Sequence, residues 1–343
     1  MVEVLTASEL LACLSSAVPF EELLARQPPV CVVDLDELDR FDDRTCNDCT
    51  DRIQALPIVL IGVGSPAVRT SAAAELVDVV VGRDIDACET IERTVVRNPL
   101  AATSLSLLLR GSMRRPIDEG LVAESAVYSM LQSGPEFHAW RDGRPTASHS
   151  VESKSAVRLE RDSDRFHITL TRPAVHNALN TQMRDELYEA LLVAASDPST
   201  RVVLDGAGPS FCAGGDLEEF GTRTDPASAH MIRLRRSVGR LLSTIADRVE
   251  AVVHGACVGS GIELPAFASR VVARPDARFG LPEIGLGLIP GAGGTVSITR
   301  RIGRHRTAYL ALSGETIDAQ TARSWGLVDE IVANAAPETR RWD

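Results

Sequence analysis

Short apolar runs rich in β-branched residues alternate with amphipathic stretches along this chain, and that alternation restricts it to a layered α/β architecture. "VCVVDL" (30–35) and "PIVLIGV" (57–63) read as buried strands. Residues 89–141 are helical in character, with Pro99 and Pro116 suited to helix starts. A second series begins near residue 156. "VRLERDSDRFHITLTRP" alternates like a hairpin, and "TQMRDELYEALLVAAS" has helical spacing with Thr181 as its expected N-cap. "RVVLDGAG" is a strand entering a glycine turn, and "AHMIRLRRSVGRLLSTIAD" is an amphipathic helix. "VEAVVHGACVGSGIELPAFAS" reads as strand, tight turn and helix; "TAYLALSG" and "AQTARSWG" as short helices; "LVDEIV" as a closing strand.

A length of 343 residues suits two domains. The stretch 142–155, "DGRPTASHSVESKS", has Val151 as its one large apolar residue. The expected division is therefore a smaller unit over 1–142, a linker over 143–155 and a main unit over 156–343. A net charge of −11 argues against nucleic-acid binding, since nothing neutralises phosphates in bulk. No apolar run reaches the ~18–20 residues of a membrane span. The N-terminal stretch carries Glu3, Glu9, Glu21 and Glu22, unlike a signal or transit peptide, so a cytoplasmic location is expected. The seven cysteines are expected to be reduced there. Cys46 and Cys49 in "RTCNDCTDR" supply only two of the roughly four ligands zinc needs, so they read as a polar loop and not a metal site.

Two glycine-rich turns, "SFCAGGDL" (210–217) and "GACVGSGIE" (255–263), each read as a strand-to-helix connection. At a helix start the first N–H groups lack internal partners and carry partial positive charge. Two such turns aimed at one carbonyl oxygen would form an oxyanion hole, worth ~3–4 kcal/mol per donor. Either turn alone is equally an ordinary tight connection, and neither is GxGxxG or a P-loop. Glu263 and Glu283 are lone acids in apolar surroundings, where a glutamate is rare unless paired or functional. Together they could hold one water and move protons both ways, with burial and mutual repulsion keeping one protonated.

Five ordered blocks carry a resemblance: "LTRPAVHNALNTQM", "VVLDGAGPSFCAGGDLEEF", "AVVHGACVGSGIELPAFASRVVA", "ARFGLPEIGLGLIPGAGGT" and "LSGETIDAQTARSWGLVDEIV". Residues ~156–333 resemble the enoyl-CoA hydratase/isomerase (crotonase) family. The resemblance implies an α/β fold with a ββα spiral core, additional helices and a smaller α/β N-terminal unit. It implies a trimer or dimer of trimers. It implies coenzyme A as part of the substrate, with no metal or other cofactor. Carried over by position, the oxyanion donors are the N–H groups of Gly215 and Ser260, and the hydratase glutamates are Glu263 and Glu283. Asn177, Ala178 and Leu179 match the segment along the coenzyme A chain, and Phe211, Cys212 and Ala213 the stretch near its adenine end. The implied reaction is hydration of a 2-enoyl-CoA, or the reverse. An enoyl-CoA isomerase or other thioester lyase, and a non-catalytic acyl-CoA-binding partner of a crotonase-family subunit, are the alternatives. Ser260 stands where the family has a glycine, His254 where asparagine is common, and Val296 and Ser297 where Gln-Arg often follows. These departures imply an unusual acyl pocket.

The family continues past "GLVDEIV" with about three helices, and residues 89–142 resemble that tail. "AAAELVDVVVGRDIDACE" likewise echoes "ARSWGLVDEIVANAAPE". Residues 1–142 thus resemble an eroded crotonase unit without the catalytic turns, whose helices would serve the second unit in the manner of a circular permutation. A chain of residues 150–343 alone is then expected to be insoluble or unfolded on expression. A stable, fully active fragment would contradict this.

Overall fold

Alternate residues of three parallel strands face two different cores in the N-terminal half. The computed structural model describes residues 4–65, 71–83, 85–144, 154–222 and 225–333; most of the expected linker lies outside the described residues. The first sheet runs β1 (Val4–Leu5), β2 (Val30–Asp34), β3 (Val59–Val63) and β4 (Val79–Val81), all parallel. Helices α1 (Ala7–Ser15), α2 (Ala17–Leu24), α3 (Leu35–Leu38) and α4 (Asp43–Ile53) alternate with these strands. Cys31, Val33, Leu60 and Val80 pack with Leu10, Leu14 and Ile53. Val30, Val32, Val59, Ile61, Val79 and Val81 point the other way, into a larger core. Burial on both faces explains the nearly unbroken apolar runs.

Cys46 and Cys49 are not in a loop. They lie three residues apart on α4, both buried in the first core. The polar residues of "RTCNDCTDR" are the solvent face of an amphipathic helix, which a local reading took for loop polarity. Among the described residues, no cluster of His, Cys, Asp or Glu is placed to hold a metal, and no helix is long and apolar enough to cross a membrane.

Four helices follow: α5 (Ile85–Arg97), α6 (Pro99–Arg110), α7 (Ile117–Gln132) and α8 (Pro135–Asp142). Pro99 opens α6 and Pro116 caps α7. Glu136 of α8 accepts the free N–H groups of Leu100 and Ala101 at 2.7 and 3.0 Å, closing the start of α6.

The second half has a hairpin of β5 (Val157–Asp162) and β6 (Arg165–Leu170), then α9 (Thr181–Ala195), β7 (Arg201–Gly206), α10 (Pro226–Arg235) and α11 (Val238–Thr244). It continues through β8 (Val249–Val253), β9 (Ala256–Val258), α12 (Ser260–Glu263), β10 (Arg270–Ala273), β11 (Arg278–Gly280), α13 (Gly294–Ser313), β12 (Ile317–Asp318), α14 (Ala319–Trp325) and β13 (Glu330–Ile331). One six-stranded sheet is ordered β13-β10-β8-β7-β6-β5, parallel except for the hairpin; a three-stranded sheet is ordered β12-β11-β9. Asn180, not Thr181, caps α9: its Oδ1 accepts the Met183 N–H at 2.9 Å. "SFCAGGDL" leads into turns, not a helix, so only the second glycine turn ends at a helix start.

One continuous hydrophobic core joins the outer face of the first sheet, α5 to α7 and the second half. Helix α13 is the common member. Its Arg304 donates to the Val77 and Glu75 carbonyls at 2.6 and 2.8 Å, and Arg300 to the Arg115 carbonyl at 2.6 Å. Gly120 of α7 lies against Val296 of α13, where an added Cβ would sit 2.8 Å from a Val296 methyl.

Arg110, at the end of α6, is sunk between the first sheet and α4. Its guanidinium pairs with Asp78 at 2.7 and 2.8 Å and donates to the carbonyls of Ile53, Leu56 and Ile58. Both side chains are almost wholly buried. Removing the acid strands a buried cation, so Asp78→Ala is expected to lower stability by about 3–5 kcal/mol. Urea denaturation reads this directly; an unchanged midpoint would refute the role given to the pair.

Candidate active site

The strand-to-helix turn at 254–263 is built by backbone needs before any chemistry. Gly259 has φ +52° and ψ −123°, a conformation L side chains rarely adopt, and it caps α12. A Cβ there would collide with the Glu283 carboxylate. A Cβ at Gly261 would strike the Cys212 carbonyl. Helix α12 lasts a single turn because Pro265 has no N–H to continue it. That turn places Glu263 at its last position, buried.

Ser260 is the first residue of α12, so its N–H has no intrahelical acceptor. Its φ is not left-handed, and its hydroxyl sits 3.7 Å from the Cys212 sulfur. Opposite, Leu179 and Gly215 form a parallel bridge. Leu179 donates to the Gly214 carbonyl at 2.8 Å and accepts from the Asp216 N–H at 3.0 Å. In such a ladder the intervening Gly215 N–H points away from Leu179. Gly215, Ser260, Glu263, Glu283 and Leu179 all line one cavity of about 250 Å³.

The two glutamates differ in their partners. Glu263 Oε2 accepts the N–H groups of Ala292 and Gly294, each at 2.8 Å. Burial raises its pKa to about 7, and the two N–H bonds oppose the rise. Glu283 opens a 3₁₀ turn after β11, and its Oε2 is buried with no hydrogen-bond partner among the described residues. Burial, and then the Glu263 charge, push its pKa well above the carboxylate range. One acid is thus held ready to carry charge near neutral pH, and the other is held neutral.

A third acid enters from the N-terminal half. Glu124 of α7 is buried and accepts the Gly293 N–H at 2.7 Å, the Thr295 N–H at 2.9 Å and the Thr295 hydroxyl at 2.6 Å. Burial, then the Glu263 charge, raise its pKa to about 8. Leu121, Ser125, Tyr128 and Gln132 of the same helix also line the cavity. Arg233 of α10 stacks on Tyr128 at 4.8 Å and donates to the Ser125 hydroxyl at 3.1 Å. Sequence reasoning missed these residues. The spacing Leu121, Glu124, Ser125, Tyr128 puts Glu124 on the inward face of α7, a signal that a helical projection of "GLVAESAVYSML" would have given.

The remaining sequence-predicted positions are placed differently. Asn177 is fully buried; its amide accepts from the Arg172 N–H at 2.8 Å and donates to the Ala207 and Ser210 carbonyls at 2.9 Å. Phe211 and Cys212 are core residues. Neither these three nor Ala178 and Ala213 line the cavity. The side chains of Asn177, Phe211 and Cys212 are committed to packing and turn structure, so a ligand running along this segment would meet its backbone. His254 bonds the Gly208 carbonyl at 2.9 Å, and the Ser297 hydroxyl donates to the Glu263 carbonyl at 2.7 Å. Val296 packs on Gly120 and is not part of the pocket wall.

The sequence model of the family described as enoyl-CoA hydratase/isomerase matches residues 161–340, just over half of the chain. The 2,3-dehydroadipyl-CoA hydratase of Escherichia coli is 40% identical over 165 residues, covering 48% of this chain and 64% of that protein. The mevalonyl-coenzyme A hydratase of Beauveria bassiana is 36% identical over 187 residues, covering 51% and 67%. A probable enoyl-CoA hydratase of Mycobacterium tuberculosis is 36% identical over 177 residues, covering 51% and 68%. The chain thus spans a little under two thirds of the Escherichia coli protein's length.

Because the Ser260 side chain is accommodated beside Cys212, Ser260→Gly should leave ligand binding within a few-fold. It should cost no more than about 0.5–1 kcal/mol, the penalty glycine carries in a helix interior, because Ser260 stands at the first position. Thermal melting and calorimetry with an acyl-CoA would check both; a large gain in affinity would mean that the hydroxyl obstructs the pocket.

Proposed function

The chain belongs to the enoyl-CoA hydratase/isomerase family, and on that premise we propose that it adds water across the double bond of a 2-enoyl-CoA, or removes it in reverse. One observation carries this reading. Two buried glutamates in opposite hydrogen-bonding situations flank a pocket that Gly215 and Ser260 also line. The thioester carbonyl would lie against the N–H groups of Gly215 and Ser260, which stabilise the enolate as charge develops on its oxygen. Glu263, fixed through Oε2, would take a proton from water as the water oxygen bonds C3. Glu283, neutral, would give its proton to C2. The C2–C3 double bond and one O–H bond of water are lost, one O–C and one C–H bond form, and the proton gained by Glu263 returns to Glu283 through solvent before the next turnover. No further cofactor enters this scheme.

The pocket wall supports an acyl group beside the two acids: Leu121, Leu234, Val238 and Leu264 provide apolar surface. The unpartnered Glu283 oxygen favours hydration over a one-glutamate isomerisation, because a second neutral acid is available to act. The seating of the Ser260 hydroxyl against Cys212 favours an open catalytic pocket over a non-catalytic acyl-CoA binder.

The test is turnover on a panel of enoyl-CoA esters. Crotonyl-CoA, longer esters and 2,3-dehydroadipyl-CoA, the ester in the Escherichia coli relative's name, should be included, with mevalonyl-coenzyme A, from the Beauveria relative's name, tested in the reverse, dehydrating direction. Hydration of at least one ester is expected, with Glu263→Gln and Glu283→Gln each lowering kcat by about 10²-fold or more. A panel that stays unhydrated, or a Glu283→Gln variant with undiminished kcat, would overturn the proposal.

A further inference from the structure

Residues 292–295 present four consecutive N–H groups, and two carboxylates share them in alternation. Ala292 and Gly294 donate to Glu263; Gly293 and Thr295 donate to Glu124. Gly293 makes this possible with φ +110°, which turns successive N–H groups toward a common concavity at the start of α13. The Glu263 side chain reaches this turn from α12, and Glu124 reaches it from α7 in the N-terminal half. A Cβ at Gly294 would press on the Glu263 carboxyl at 2.9 Å, so the turn and the acid are in contact with no room to drift.

We infer that Glu124 is a positioning residue for the proposed hydration: by holding Gly293 and Thr295 it sets the direction in which Ala292 and Gly294 present their N–H groups to Glu263. It touches the turn and not the reacting atoms. It rests on the hydratase reading for its kinetic consequence, but not for its electrostatic one. The acids are close enough for the charge on Glu263 to raise Glu124. The other groups around Glu124 are Glu283, Tyr128 on its own helix and Arg233 on α10. His230 of α10 faces the Ser125 hydroxyl and Arg300 of α13 the Arg115 carbonyl. Arg110 of α6 is held by Asp78, Glu136 of α8 by the N–H groups of α6, and Arg240 of α11 is half-buried. Glu263 therefore ionises first, and its charge helps hold Glu124 neutral above it.

The experiment compares Glu124→Gln and Glu124→Asp in the full chain. The Gln variant replaces a neutral acid by a neutral amide, so the acid limb of the kcat profile, set by Glu263, stays in place. The turn also loses one of its anchors. A misplacement of the base of about 1 Å costs roughly a hundredfold, so kcat should fall by about 10- to 100-fold with KM within about threefold. The Asp variant keeps a carboxyl but shortens the reach, so kcat falls there too, again with the limb in place. Unchanged kcat in a folded Glu124→Gln variant would overturn the inference. So would a loss of activity in both variants that only tracks the loss of folded protein. A second readout separates this inference from the function beneath it. Carboxyl titration followed by infrared difference spectroscopy should show glutamates titrating near neutral pH in the wild type, with Glu124 shifted down in Glu263→Gln, where the charge that raises it is gone. That shift is expected even if no enoyl-CoA is turned over; its absence in a folded variant refutes the coupling whatever the reaction.

Discussion

The start of α13 governs the rest of the site, because a helix terminus with four free N–H groups can hold carboxylates that an apolar interior otherwise expels. Glu263 and Glu124 both use it, one on each pair of alternate N–H groups. Glu283 lies outside that fan and has no donor for its Oε2 among the described residues. The three acids are therefore sorted by geometry. Two sit where negative charge is supported, and one sits where only the neutral form is comfortable. The proposed division of labour between base and acid needs no other device.

That same helix ties the two halves of the chain into one core. Its first turn meets α7 twice, Thr295 through Glu124 and the next residue, Val296, through Gly120. Arg300 and Arg304 then grip the Arg115 and Val77 carbonyls farther along. Helix α7 is held in turn by α10, where Arg233 stacks on Tyr128 and bonds Ser125. The pocket wall, the third acid and the helix that bears the N–H fan are thus consequences of one packing arrangement. A shift of α7 would open the cavity and withdraw Glu124 together.

Much of this was legible in the sequence, and the gaps have physical causes. The strands around "VCVVDL" and "PIVLIGV", the hairpin after residue 156 and the turn at Gly259 follow from periodicity and glycine chemistry, which are local. Glu263 and Glu283 stood out because each is an acid in an apolar stretch. Glu124 did not, since "DEGLVAES" is rich in acids on its exposed face and burial there is decided by a partner over 160 residues away. The cysteine pair on α4 failed for the mirror reason: a strongly polar helix looks like a loop until its inward face is known. Asn177 and Phe211 were assigned to a ligand by position alone, whereas their side chains satisfy the backbone and fill the core.

The glycines of this site also take on a different purpose once the acids are placed. Read from the sequence, they let a thioester approach backbone donors. In the structure, the space a Cβ would occupy at Gly259 is filled by the Glu283 carboxylate, and at Gly294 by that of Glu263. Glycine at these two positions is required by the protein's own acids, before any substrate arrives. Ser260 differs in that its hydroxyl rests 3.7 Å from the Cys212 sulfur. That contact gives the serine side chain a place at a position flanked by glycines.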